Sequence, residues 1–271
     1  MMKLTEKTFT RIKKWATLMV VAGLMAACGG NQDVVSSAEA AQAEQGVMST
    51  LWLQRSAEAA VLRQQTYDYA WLVLQENLNQ LKGGAPPAVI LDIDETVLDN
   101  TPYEATLIRQ GTTYTPSNWR KWVGMAQAPL VPGAKEFLKL TASKGIEIFY
   151  ISNRSDELLE STLNNLQKYD LPNADAKHVL LKKETSDKSA RSEMVMSAFQ
   201  VVLIIGDQMG DFSQGYEQFI AGEDLYPKLK GHFIVMPNPM YGRYDPAQNE
   251  AGQNYTPTQR VKARKKALQT Y

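Results

Sequence analysis

Five short apolar stretches alternate along the chain with longer segments in which apolar residues recur at helical spacing. The strands predicted from these stretches cover residues 88–92, 146–151, 178–181, 201–205 and 232–236. A short apolar run bounded by turn-forming residues is typical of a strand buried on both faces. The alternation of such strands with helices predicts an α/β protein with a parallel sheet and helices on both faces.

Apolar residues spaced three and four apart predict the helices between these strands. The longest covers 48–81, as one continuous or broken amphipathic helix that Gly83 and Gly84 bring to an end. The segment 98–131 contains no clear strand. Shorter helices are predicted over residues 134–143, 156–169, 187–199 and 211–220.

The first 27 residues have the pattern of a secretory signal peptide. A basic start is followed by an apolar run from Trp15 to Ala27, which is shorter than the about 20 apolar residues that a transmembrane helix needs. Cys28, the single cysteine, follows directly. Its surroundings resemble a bacterial lipobox, in which the thiol carries lipid and begins the mature chain. The alternative is a plain signal peptide that is cut before a free cysteine.

Residues 28–46 are rich in Gly, Ala, Ser, Gln and Glu, which predicts a flexible tether ahead of a domain at 47–271. No aspartate follows Cys28 directly. By resemblance to Gram-negative lipoproteins, this favours a lipid anchor in the outer membrane of the bacterial cell envelope, with the chain facing the periplasm or the exterior.

The charge of the chain is uneven along its length. The formal net charge is zero, but the first 27 residues hold five basic residues against one acidic residue. Their removal leaves a mature chain near −4, without the basic footprint that proteins use to bind nucleic acids. Nucleic-acid polymers are therefore excluded as partners.

Acidic residues follow two of the predicted strands. Asp92 and Asp94 end the first strand, and Asp207 follows the fourth. Ligands of open parallel sheets bind at the carboxyl ends of the strands. Two ionised carboxylates this close repel each other, which separates their pKa values, so that one can attack while the other holds a proton. Taken alone, Asp92 and Asp94 could equally be a strand that ends in an acidic turn.

Five stretches in order carry a family resemblance: ILDIDETVLDNTPY, YISNR, KSAR, GDQMGDF and PNPMYG. Together they resemble the class C acid phosphatases of the bacterial outer-membrane lipoprotein e type, within the haloacid-dehalogenase superfamily. The resemblance spans roughly Gln45 to the C-terminus. It implies a Rossmann-like fold with a five-stranded parallel sheet flanked by helices. It also implies a small, mainly helical cap, formed by about 98–131 together with the N-terminal helix 48–81.

The implied activity is Mg²⁺-dependent hydrolysis of phosphate monoesters through an aspartyl-phosphate intermediate. Nucleoside 5′-monophosphates, nicotinamide mononucleotide and aryl phosphates are the implied substrates. Two alternatives remain open: a phosphatase of sugar or other small organic phosphates, and a surface ligand-binding lipoprotein with a decayed phosphatase fold. The sequence also leaves a homodimer open.

The resemblance assigns catalytic roles to individual side chains. Asp92 would be the nucleophile, and Asp94 would protonate the leaving oxygen and later activate water. Thr96, Ser152 and Asn153 would donate hydrogen bonds to phosphoryl oxygens.

A cation is needed because a phosphate dianion must approach a carboxylate. The implied Mg²⁺ ligands are the carboxylates of Asp92 and Asp207 and the backbone carbonyl of Asp94, with waters and phosphate completing an octahedron. Asp211 would act behind these ligands or through a water.

Lys188 is expected to neutralise the nucleophile and the transferring phosphoryl group. Lys182 and Lys183 are rivals, but Lys188 stands at a predicted helix start 19 residues before Asp207, which matches the family layout.

Two roles are possible for each of two arginines. Arg154 and Arg191 either contact the phosphate or the pocket, or form structural ion pairs.

Two aromatic residues are expected at the rim of the site. Trp119 lies in the cap segment and Tyr241 follows the last strand. The family resemblance implies that their rings hold a flat base between them, since stacking tolerates any base. The alternative is that Trp119 packs the cap against the core.

Overall fold

In the computed structural model, which describes residues 36–212, 231–249 and 254–271, a parallel sheet is built around strand β1 (Pro87–Leu91). The order across the sheet is β3-β2-β1-β4-β5, and every pairing is parallel. This confirms the predicted five-stranded parallel sheet. The other strands are β2 (Glu147–Ser155), β3 (Val179–Lys182), β4 (Gln200–Gly206) and β5 (Phe233–Val235).

Helices precede, connect and follow these strands. Those predicted at 134–143, 156–169 and 187–199 are present with slightly different ends, and the one predicted at 211–220 lies mostly outside the described residues. In chain order the described helices are α1 (Ser37–Glu44), α2 (Val47–Arg55), α3 (Ala57–Gln80), α4 (Thr101–Gln110), α5 (Pro116–Gly124), α6 (Ala134–Ser143), α7 (Leu159–Gln167), α8 (Ser189–Met196), α9 (Pro246–Asn249) and α10 (Pro257–Ala267).

The two faces of the sheet pack against different helices. Side chains of a strand point alternately to opposite faces, and β1 shows this alternation. Val89 and Leu91 belong to a large core with residues of α3 and α6, whereas Ala88 and Ile90 pack with Val195 of α8 on the other face. Burial on both faces explains why β1 is apolar throughout.

The long N-terminal helix is broken at Ser56, which has extended backbone angles. The Ser56 side chain accepts a hydrogen bond from the backbone N–H of Ala59 at 3.1 Å and so caps α3. Asn77 further along α3 donates to the carbonyls of Val202 and Gly231, both at 2.6 Å. Helix α3 is therefore part of the core.

The structure differs from the predicted tether and cap. Residues 37–44, predicted as flexible, form α1, which packs against α4 and α10. Ala, Glu and Gln form helices readily, and this packing stabilises a segment with few large apolar residues. The cap segment 98–131 does contain two helices, α4 and α5.

From Ser37 onward, the described residues form one compact unit. None of the helices in the described ranges combines the length and the apolar character needed to cross a membrane. The predicted signal peptide, Cys28 and the first part of the predicted tether lie outside those ranges.

Candidate active site

Asp92 is fixed at the carboxyl end of the central strand. Its backbone N–H donates to the carbonyl of Ile205 in β4 at 2.9 Å, so the sheet still holds the chain here. The chain then turns, with the N–H groups of Val97 and Leu98 both donating to the carbonyl of Ile93 at 2.8 Å. Glu95 within this turn has a φ of 59°. The turn brings Asp94 to the same edge as Asp92.

Lys188 joins two buried carboxylates. Its Nζ forms an ion pair with Asp92 Oδ1 and another with Asp211 Oδ1, the latter at 2.6 Å. Burial alone would lower the pKa of Lys188, but the charges of Asp211 and Asp92 raise it above its ordinary value. Lys188 is therefore held as a cation. The rivals Lys182 and Lys183 do not line the cavity described below.

Three carboxylates cluster beside this single lysine. Oxygen atoms of Asp92, Asp207 and Asp211 lie within 4.8 Å of one another. Burial raises the pKa of Asp207 to about 7, and the charge of Asp211 adds to the shift. Burial also raises the pKa of Asp92 well above its ordinary value, although Lys188 opposes the shift. Clustered carboxylate oxygens fit Mg²⁺ or a similar hard cation, which would relieve this excess of negative charge.

Both oxygens of Asp211 already have partners. Oδ1 pairs with Lys188, and Oδ2 accepts a hydrogen bond from the backbone N–H of Gln208 at 2.8 Å. Gly206 lies so close that a Cβ atom there would clash with the Asp211 side chain. Among the described residues, Asp207 accepts hydrogen bonds at Oδ2, from Asn238 at 2.7 Å and from Gln208 at 2.8 Å. These contacts favour Asp207 over Asp211 as a direct metal ligand.

Arg154 holds Asp94 in place. Its Nη2 donates to Asp94 Oδ1 at 2.7 Å, and its Nε lies 3.1 and 3.2 Å from the two carboxylate oxygens. The Arg154 side chain is only 1% exposed, and its guanidinium lies 5.7 Å from the ring centre of Trp119. Of the two roles considered for Arg154, the structure shows the ion pair, with Asp94 as its partner. The guanidinium also lines the cavity, so its contact with substrate stays a prediction.

Asn100 connects Asp94 to the cap. Its Nδ2 donates to Asp94 Oδ1 at 2.8 Å and lies 3.3 Å from Glu95 Oε2, while its Oδ1 accepts from the Trp122 Nε1 of α5 at 2.7 Å. Asn100 is fully buried. Sequence reasoning missed this role, although an asparagine just before the Thr101-Pro102 start of α4 was the available signal.

The loop after β2 is held by polar contacts. Arg191 donates to the Ser152 carbonyl at 2.6 Å and to Asn153 Oδ1 at 2.7 Å. Ser152 Oγ lies 3.4 Å from Asp94 Oδ2. These hydrogen bonds of Arg191 fix the segment that carries Ser152 and Asn153, and a contact of Arg191 with the phosphate stays a prediction.

Thr96 is not where sequence reasoning expected it. It is fully buried, and its hydroxyl has no hydrogen-bond partner within the described part of the chain. Its carbonyl accepts a hydrogen bond from the Tyr67 hydroxyl of α3 at 2.6 Å. The turn at Glu95 directs Thr96 toward α3 and away from the cavity, so we withdraw it as a hydrogen-bond donor to phosphate.

A cavity of about 820 Å³ opens over these residues. Helix α3 does not contribute to its lining, whereas α1 and α4 do. Helix α2 packs against α4 of the cap segment, and the assignment of 48–81 to the cap stays a prediction. The predicted site residues that line it are Asp92, Asp94, Trp119, Ser152, Asn153, Arg154, Lys188, Asp207, Asp211 and Tyr241.

Trp119 and Tyr241 lie on the wall of the same cavity, as the predicted stacking of a base between the two rings requires. Tyr103 of α4 meets Trp119 edge-on, with ring centres 5.1 Å apart. Tyr241 is held through its carbonyl, which lies 3.3 Å from the side-chain nitrogen of Gln208. The cap therefore presents a braced aromatic ring to the space above the carboxylates.

Part of the cavity wall comes from segments to which sequence reasoning gave no role. Gln42, Ala43 and Gly46 line it from the region of α1, and Arg260 and Arg264 line it from α10. No apolar periodicity marked α10, which carries five basic residues within 257–267.

Comparison with known proteins gives consistent matches. Residues 7–244 match the model of the HAD superfamily, subfamily IIIB (acid phosphatase). The stem 28 kDa glycoprotein of Glycine max is 26% identical over 198 residues, which cover 69% of this chain and 69% of that protein. Vegetative storage protein 1 of Arabidopsis thaliana is 28% identical over 171 residues, covering 59% of this chain and 57% of that protein.

A solved structure matches over most of its length. It is that of the class C acid phosphatase from Bacillus anthracis with tungstate bound. The sequence identity is 33% and the TM-score is 0.76, and the match covers 84% of this chain and 98% of that chain.

Proposed function

The chain belongs to the acid phosphatases of the HAD superfamily, subfamily IIIB, and from this premise we propose that it hydrolyses phosphate monoesters through an aspartyl-phosphate on Asp92. The observation that carries the proposal is the buried Lys188, which contacts Asp92 and Asp211 at once. A lysine held there counters charge on both the nucleophile and the incoming phosphate. Replacement of Asp92 by Asn tests the proposal, because an amide cannot act as the nucleophile.

The reaction has two displacements at phosphorus. In the first, a carboxylate oxygen of Asp92 bonds to phosphorus while the bond to the leaving oxygen breaks, and Asp94 gives that oxygen a proton. In the second, Asp94 takes a proton from water, and the water oxygen attacks phosphorus and releases Asp92. Arg154 and Asn100 fix the carboxylate of Asp94, and such positioning is the main protein contribution to phosphoryl transfer.

We propose Mg²⁺ as the cofactor. The carboxylates of Asp92 and Asp207 and the backbone carbonyl of Asp94 would hold it, with Asp211 behind them. When bound, the cation would neutralise charge on the phosphate and on Asp92. Tungstate in the Bacillus anthracis relative supports an oxyanion-binding site in this family, because tungstate has the tetrahedral shape of phosphate.

The substrates that we propose are nucleoside 5′-monophosphates, nicotinamide mononucleotide and aryl phosphates, all small molecules with a flat ring. Trp119 and Tyr241 on the wall of one cavity support this proposal. A base between two aromatic rings gains roughly 1–3 kcal/mol whatever its identity. A phosphatase of sugar phosphates would have no use for such a slot, and kcat/KM across a substrate panel separates the two functions.

Trp119→Ala and Tyr241→Ala are each expected to raise KM for nucleoside 5′-monophosphates about tenfold, because 1.4 kcal/mol of lost stacking corresponds to a factor of ten. A small phosphate ester without a ring should be hardly affected in the same variants. Tyr69→Ala on α3 is the matched control, since Tyr69 is 43% exposed and does not line the cavity. Equal losses on both kinds of substrate would mean that the rings only support the fold.

We propose that residues 1–27 are a signal peptide and that Cys28 is lipidated, which would anchor the enzyme to the outer membrane by the chain's N-terminal side. The proposal rests on the sequence pattern around Cys28. Cys28→Ser is expected to yield either uncleaved precursor or soluble protein, with unchanged kcat. Mass spectrometry of the native N-terminus decides the question, and a free Cys28 thiol in the mature protein would rule the anchor out.

A further inference from the structure

Three arginines line the cavity together with the carboxylates: Arg243, Arg260 and Arg264. We call them the arginine rim. Arg260 and Arg264 are one helical turn apart on α10, so they present neighbouring side chains on one face. Arg243 follows the Tyr241 segment. The proposed hydrolysis of a nucleoside monophosphate gives none of the three a role.

Arg264 serves as a fixed support. Its Nη2 and Nε donate to Asp245 Oδ2 at 2.7 and 3.2 Å, and its Nη1 donates to Gln45 Oε1 at 2.9 Å. These bonds occupy all three guanidinium nitrogens. Arg264 therefore ties α10 to the segments on either side of it and holds the neighbouring Arg260 in place.

The side chain of Arg260 makes one hydrogen bond within the part of the chain that the structure describes. Its Nη1 makes one long hydrogen bond, 3.4 Å to the carbonyl of Ala247. The residue is half-buried and lines the cavity. A guanidinium has five N–H donors in a planar fork that fits phosphate oxygens in pairs. Arg260 is thus held close to the cavity, and among the described residues most of its N–H groups have no hydrogen-bond acceptor.

The cavity is large, and residues of both charges line it. Its volume of about 820 Å³ is near the upper end of the about 300–1,000 Å³ found for small-molecule sites. Four aspartates and Lys188 line it, and so does the arginine rim. Glu104 of α4 is the other acidic residue among the described lining residues. Burial raises its pKa to about 7, so it cancels little of the positive charge in mildly acidic solution.

We propose that Arg260 and Arg243 form a second anion subsite, which takes a second phosphate of a substrate whose first phosphate reacts at Asp92. The substrate class is a nucleoside that carries two separate phosphates, with a nucleoside 3′,5′-bisphosphate as the simplest example. The 5′-phosphate is hydrolysed and the 3′-phosphate stays on the arginine rim, so the products are inorganic phosphate and the nucleoside 3′-monophosphate. This inference rests on the proposed function.

Kinetics with two matched substrates test the subsite. The wild-type enzyme is expected to show at least tenfold higher kcat/KM for adenosine 3′,5′-bisphosphate than for adenosine 5′-monophosphate, through KM. Arg260→Gln and Arg243→Gln should each remove most of this preference and leave the monophosphate unchanged. Lys262→Gln is the matched control, because Lys262 is an exposed cation on α10 that does not line the cavity. Chromatography should identify adenosine 3′-monophosphate as the first product.

Other results would overturn the inference. One is equal kcat/KM of the wild-type enzyme for the bisphosphate and the monophosphate. Another is a loss of kcat/KM for the bisphosphate in Lys262→Gln that equals the loss in Arg260→Gln. The third is a loss of kcat/KM in Arg260→Gln that is the same for both substrates. Calorimetric titration of the Asp92→Asn protein with the bisphosphate separates the two proposals. If no phosphate ester is hydrolysed but Arg260→Gln still weakens this binding, the proposed function fails and the subsite stands.

Discussion

Asp92→Asn is expected to remove turnover and leave the protein folded. An amide cannot act as the nucleophile that forms an acyl-phosphate, and loss of a covalent nucleophile costs about four to six orders of magnitude in kcat. The fold should persist because Asn is isosteric with Asp, and Lys188 keeps its ion pair with Asp211 at 2.6 Å. The measurements are kcat on an aryl phosphate and acid-quench trapping of labelled phosphate on the protein.

Asp68→Asn is the matched control for this substitution. Asp68 is an exposed aspartate on α3, and its side chain accepts a hydrogen bond from Gln64 on the same helix at 3.0 Å. Its replacement should leave kcat and the trapped label unchanged. A kcat of Asp92→Asn within tenfold of wild type, together with normal trapping, would contradict the covalent mechanism.

Removal of divalent cations is expected to lower activity below about 1% of its initial value, with recovery on addition of Mg²⁺, since metal ions stabilise transition-state charge by several kcal/mol. Three carboxylates with oxygens within 4.8 Å of one another leave excess negative charge where the phosphate must bind. Asp207→Ala should need far more Mg²⁺ than wild type or stay inactive. Asp156→Asn, at an exposed position beyond the cavity lining, is the control.

Thermal unfolding gives a second readout that does not depend on turnover. A cation that binds only the folded state at 100 times its Kd adds about 2.7 kcal/mol of stability, which corresponds to a rise in Tm of about 5–10 °C for a chain of this size. Asp207→Ala should lose this rise. Full activity of protein from which elemental analysis finds no metal would refute the metal site.

The sheet and the carboxylate cluster at its edge could be predicted because their signals are local. A buried strand needs an unbroken apolar run, and Asp92 and Asp207 each stand just after one. Their proximity follows from the pairing of β1 with β4, in which Leu91 lies opposite Ile205. The order of strands thus turns two separate motifs into one cluster.

Other parts depend on contacts between distant residues and leave little local signal. The role of Asn100 depends on the turn at Glu95 and on Trp122, which lies 22 residues later. Thr96 was misplaced because the same turn decides which side chain faces the cavity. The polar composition of helix α1 resembles that of a tether. What stabilises α1 is its packing against α10, where Arg264 donates hydrogen bonds to Asp245 and Gln45.

Helices α1 and α10 are the first and last helices of the described chain, and they pack against each other beside the cavity. Separating them breaks the hydrogen bond of Arg264 to Gln45 but leaves β1 and the Asp92–Lys188 pair intact. Peripheral helices open at low free-energy cost compared with global unfolding. Their amide hydrogens should therefore exchange with solvent faster than those of the central strands. Such local opening would widen the cavity without any movement of Asp92 or Lys188.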